Sequence, residues 1–83
     1  MIKVLFFAQL KDAVGKSQIV LPPPESEVSI EQCVQQICAS SNISEEVLLN
    51  PSIKFALNQQ MVASTALLSD GDELALFPPV TGG

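Results

Sequence analysis

Ile30, Cys33, Val34, Ile37 and Cys38 recur at i, i+3, i+4, i+7 and i+8, and this spacing constrains the fold more than any other feature of the chain. At 100° per residue the five side chains form one apolar stripe about 140° wide. A helix built this way must lay its stripe on another layer, and here that layer is a sheet. Its start is marked as well. Ser29 is an N-cap residue, Gln32 stands at N3 to complete a capping box, and Val28 is placed to staple against Cys33. A shorter helical turn opens at Ser44 with Glu45 and Glu46, and Asn50-Pro51 closes it.

The flanking segments supply the sheet. Ile2 to Ala8 is apolar except at Lys3, which predicts a strand covered on both faces and central in its sheet. Gln9 to Val14 predicts a turn or a single helical turn stopped by Gly15. Ser17 to Leu21 predicts a second strand pairing back on the first, and Pro22-Pro23-Pro24 forbids its continuation. Ile53 to Leu57 alternates, with Ile53, Phe55 and Leu57 on one face and Lys54 and Ala56 on the other. Asn58-Gln59-Gln60 is a turn before a short return strand at Met61 and Val62. Asp70-Gly71-Asp72 is a turn before the last strand, Glu73 to Phe77. Hairpin, helix and further strands define an α+β domain, a mixed sheet with one main helix packed on one face. Eighty-three residues hold one such domain, residues 1–77, followed by an extended tail at 78–83.

Several kinds of chemistry are excluded. Nine acids against four bases, with no Lys/Arg cluster, rule out binding that rests on neutralising nucleic-acid phosphates. The acidic balance suits either a basic patch on a protein partner or a solvated surface. No apolar run approaches a membrane span, and Met1 to Ala8 is too short for the core of a signal peptide, so a cytoplasmic protein is expected. The chain has no histidine, which removes Ser/His/Asp and Cys/His catalysis and the histidine-containing zinc sets. Cys33 and Cys38 lie about 140° apart around the helix, so a disulfide between them would break it. They read as small core residues in a reducing compartment, with a reactive thiol as the alternative. Asp70, Asp72 and Glu73 lack the other ligands of a calcium loop and read as a polar turn. A domain without an internal catalytic set is not an enzyme alone.

What remains is the end of the chain, Leu76-Phe77-Pro78-Pro79-Val80-Thr81-Gly82-Gly83. Pro-Pro favours an extended run that stands off the body, and glycine backbone enters channels too narrow for a side chain. The tip carries the Gly83 α-carboxylate, ionised at neutral pH and a poor electrophile until a partner activates it. A solvated Gly-Gly end is the plain alternative.

Three stretches, Ile2 to Ala8, Leu68 to Leu74 and Phe77 to Gly83, together resemble the small subunit of molybdopterin synthase, a ubiquitin-like sulfur carrier family. The resemblance implies a ubiquitin-like β-grasp with a flexible C-terminal tail and no tightly bound cofactor. It implies that a ubiquitin-activating-like adenylyltransferase uses ATP to adenylate Gly83. A sulfur-donating enzyme then supplies the sulfur of a C-terminal thioglycine, a thiocarboxylate. That sulfur passes to cyclic pyranopterin monophosphate on the large synthase subunit, in an assembly of two of each subunit. By position Gly83 carries the sulfur, Gly82 permits passage, and Thr81, Val80, Pro79 and Pro78 are the threaded spacer. Phe77 matches a partner-packing position, with a core Phe as the alternative, and Met61 is a second candidate partner contact. Three rival readings remain: a thiamin-pathway sulfur carrier, typically shorter and without Phe77-Pro78-Pro79; a ubiquitin-type modifier; and a passive β-grasp interaction module.

Overall fold

The computed structural model describes residues 1–78. The elements follow in the order β1 (Ile2–Phe6), α1 (Gln9–Val14), β2 (Gln18–Leu21), β3 (Val28–Ser29), α2 (Ile30–Ser41), α3 (Glu45–Leu48), β4 (Lys54–Leu57), β5 (Gln60–Val62), β6 (Leu67–Leu68) and β7 (Glu73–Phe77). Five strands form a mixed sheet in the order β2-β1-β7-β4-β5, and β3 pairs with β6 in a two-stranded ribbon. The β1–β7 ladder is parallel, while β1–β2, β4–β7 and β4–β5 are antiparallel. The last strand therefore occupies the centre. The chain crosses from β2 to β4 through α2, the helical layer.

All five stripe residues of α2 are buried. They join Ile2, Val4 and Phe6 of β1, Leu74 and Leu76 of β7, and Phe55 of β4 in one core. The capping box forms as the sequence requires: Ser29 Oγ accepts from the Gln32 amide at 3.1 Å, and Gln32 Oε1 accepts from the Ser29 amide at 3.0 Å. The next two donors of the helix are also taken. Ile30 N–H donates to the Ala66 carbonyl at 2.9 Å and Glu31 N–H to that of Ser64 at 3.0 Å. The β5–β6 loop thus saturates a helix start that would otherwise leave free donors. Asn42 ends α2 in the left-handed region at φ 57°, and Gly15 ends α1 at φ 85°.

Two expectations need correction. β1 ends at Phe6 and alternates in burial, with Lys3 exposed and Leu5 half-buried, so it is covered on one face and lies beside the centre, which β7 holds. The reason is that the main helix lies on one side of the sheet only. The turn after β4 is shorter than expected: Asn58 and Gln59 take φ 51° and 71°, and Gln60 already belongs to β5. Asn58 suits that conformation and also ties it to β7. Its amide donates to the Glu73 carbonyl at 2.8 Å, and its Oδ1 accepts from the Glu73 amide at 2.9 Å.

Candidate functional site

The face of the sheet turned away from α2 can be read directly from the register. Gln18, Leu5, Ala75, Ala56 and Met61 lie opposite one another in a single row across all five strands. Each alternates with a core residue of its own strand wherever α2 covers the other face, so the row belongs to the uncovered side. Ala75 and Ala56 are only 8% and 6% exposed yet stand outside the α2 core, because their taller neighbours on the open face shade them. The result is a shallow depression floored by two alanines. Met61, 64% exposed, bounds it on the β5 side.

Its other wall is aromatic. Phe7 continues the β1–β7 ladder one residue past the strand, its amide donating to the Leu76 carbonyl at 3.3 Å. Its ring stacks on Phe77 with centroids 4.8 Å apart and planes 5° from parallel. Phe7 remains 42% exposed, and Phe77 is half-buried. Of the two alternatives for Phe77, a core Phe or a surface anchor, the side chain lies on the open face beneath an exposed partner ring. A stacked pair fixes both rings at little further entropic cost on binding, as suits a docking anchor. Phe7 was not singled out by sequence reasoning. The Phe6-Phe7 doublet carried the signal, since adjacent strand residues point to opposite faces.

Lys3, Glu73 and Lys54 rim the depression. Pro78 is half-buried and leaves the sheet beside the aromatic wall. The expected site residues Pro79, Val80, Thr81, Gly82 and Gly83 lie outside the described residues. The structure thus brings Phe77 and Met61 onto one face, about 12 Å apart from the strand and residue spacings.

The other candidate chemistries resolve into structure. Cys33 and Cys38 are buried and free. Burial pushes both thiols above their ordinary value, and Glu45 adds to the effect at Cys38. The Asp70–Glu73 turn is spent internally. The terminal ammonium of Met1 pairs with Asp70, and Asp72 accepts from the Ser69 amide at 2.7 Å and from Asn58 Nδ2 at 3.0 Å. Among the described residues no group of three or more His, Cys, Asp or Glu side chains is gathered to hold a metal ion. No helix among them is long and apolar enough to cross a membrane.

A five-stranded mixed sheet, one main helix on a single face and an apolar opposite face define a ubiquitin-like β-grasp domain. The ThiS family matches residues 4–83, and the chain belongs to that family. It is 40% identical over 85 residues to the molybdopterin synthase sulfur carrier subunit of Escherichia coli (strain K12), covering 100% of both chains. The resemblance seen in the sequence is thereby borne out. The solution structure of the small archaeal modifier protein 1 from Methanosarcina acetivorans aligns with a TM-score of 0.80 at 24% identity, covering 99% of this chain and 95% of that one. A protein–protein complex of subunits 1 and 2 of the molybdopterin-converting factor from Helicobacter pylori 26695 contains a chain aligning with a TM-score of 0.60 at 22% identity, over 99% of this chain and 97% of that one. At these identities both structures speak to the fold alone.

Proposed function

We propose that the protein is the sulfur-carrier subunit of a molybdopterin synthase and performs no catalysis alone. The Gly83 carboxylate attacks the α-phosphorus of ATP on an adenylyltransferase partner and releases pyrophosphate. Sulfide-level sulfur delivered by a donor enzyme then attacks the acyl carbon, the acyl–oxygen bond to AMP breaks, and a thiocarboxylate is left, a nucleophile where the carboxylate was inert. The large synthase subunit holds cyclic pyranopterin monophosphate, receives that sulfur, and assembles with the carrier two to two, in the cytoplasm.

The observation that carries this reading is where the chain leaves the sheet. β7 runs up the centre and ends at Phe77, on the rim of the exposed apolar face. Residues 78–83 reach at most about 20 Å when extended. A partner seated on the open face therefore has its reaction centre within reach of Gly83, and the docking energy is spent away from the reacting atom, positioning it. Pro78 and Pro79 stiffen the first step, while Thr81 and Gly82 keep the last part narrow. The Escherichia coli relative, 40% identical over its whole length and named as a sulfur carrier subunit of molybdopterin synthase, supports a large-subunit partner.

The test is intact mass after incubation with ATP, a sulfur source and an adenylyltransferase from the same cell. A gain of one oxygen-to-sulfur exchange, localised to Gly83, is expected. No change with an enzyme active on another carrier refutes the reading and favours a passive interaction module.

A further inference from the structure

The formal charge of −5 is distributed very unevenly. Residues 17–53, which build β2, the proline loop, β3, α2 and α3, contain Glu25, Glu27, Glu31, Glu45 and Glu46 and no lysine or arginine. The remaining residues balance, with four lysines against Asp12, Asp70, Asp72 and Glu73. All of the excess charge thus belongs to the segment that carries the helical layer. The open face is different. Its charged residues are Lys3, Lys54 and Glu73, and Lys3 faces Glu73 directly in the parallel register. Lys54 faces Phe77, at the root of the tail. The acid of that face, Glu73, is four residues down β7 from Phe77, about 13 Å away. Among the described residues Lys54 makes no ion pair, since the single salt bridge joins Met1 and Asp70. It is an exposed cation beside the aromatic anchor, with no described acid within ion-pair distance.

We propose that Lys54 is the charge-reading residue of the docking face, and that the partner surface it meets presents a carboxylate beside the pocket that receives Phe77. Net charge alone would suggest a basic partner; the distribution argues the opposite for this face. A carboxylate beside that pocket attracts Lys54 and repels the acidic helical layer, so the domain approaches with its open face forward. This rests on the carrier reading and deepens it by naming the chemistry of the large subunit's docking surface. Its effect falls on the rate of association, where steering acts, more than on the lifetime of the complex.

The experiment is stopped-flow association with the large synthase subunit of the same organism, comparing wild type, Lys54→Met and Lys54→Glu. Lys54→Met keeps an apolar stem of similar length and removes the charge. A unit charge about 7 Å away across a wet interface alters the rate by about threefold, so about threefold slowing is expected for Lys54→Met and about sevenfold for Lys54→Glu. Both effects should shrink towards unity at about 1 M salt, with dissociation changed less than about twofold. An unchanged or faster Lys54→Glu rate, alongside normal wild-type binding, overturns the inference and leaves the carrier reading standing. Failure of the wild type to bind an active large subunit overturns both.

Discussion

Met61 offers a sharp separation of folding from docking. Its side chain is 64% exposed, at the end of the row Gln18–Leu5–Ala75–Ala56–Met61. Full burial of a methionine is worth roughly 1.5–3 kcal/mol, so about 1–2 kcal/mol remains available for a partner to bury. Met61→Ala removes most of that. The expected loss is about 5–30-fold in affinity for the large synthase subunit, measured by titration calorimetry. Little of Met61 is in contact within the free domain, so unfolding free energy in urea should change by less than about 0.5 kcal/mol. A large effect on binding beside a small effect on folding is what a docking residue must show. Wild-type affinity would remove Met61 from the interface. A stability loss above about 1 kcal/mol would show that its contacts lie within the domain, and the assignment of the open face would fail with it.

Phe7→Ala and Phe77→Ala should each weaken the complex, and the double variant should lose less stability than the two single losses together. A coupling of about 0.5–1.5 kcal/mol in a urea double-mutant cycle is the expected value of the stack, and zero coupling would contradict it. Gly82→Ala should slow thiocarboxylate formation in the mass assay while leaving the melting temperature unchanged, because the added methyl meets a narrow channel only in the partner. Equal rates would mean that the channel is wide. Burial raises both thiols in the folded chain, so the folded state holds protons that the unfolded state releases above about pH 8.5. Stability is therefore full below that pH and declines above it, by up to about 1.4 kcal/mol per pH unit for each cysteine. Urea titrations between about pH 7.5 and 9.5 should show the decline, and Cys33→Ala should reduce its slope; a flat profile in the parent protein would refute the buried-thiol account.

The parts of the fold that were legible in the sequence are those set by local chemistry. Ser29, Gln32 and the 3.6-residue stripe state a helix, its first residue and its buried face without reference to anything distant. Gly15 and Gly71, at φ 85° and 93°, likewise mark left-handed turns from their own backbone freedom. The ribbon of β3 and β6 was missed because two-residue strands have no period. Val28 and Leu68 meet only because the loop bearing Ala66 and Ser64 comes back to cap α2, a partnership fixed by tertiary packing.

The open face is the more instructive case. Phe7 and Leu5 read as core material, since an apolar strand residue gives no sign of which side will be covered, whereas Ala56 falls with Lys54 on the face opposite Phe55 and Phe77 carries both a core and a partner-packing reading. The decisive quantity is coverage. A twelve-residue helix is about 18 Å long and about 10 Å wide, while five strands at about 4.8 Å make a sheet roughly 20 Å across. One such helix covers one face at most, and this sequence contains a single long amphipathic helix beside strands that are apolar on both faces. A surplus of apolar strand surface over the helix available to cover it therefore locates the face that stays open, the one proposed above for docking. By that measure Phe7 belongs to the open face, although the strand pattern by itself assigns it to the interior.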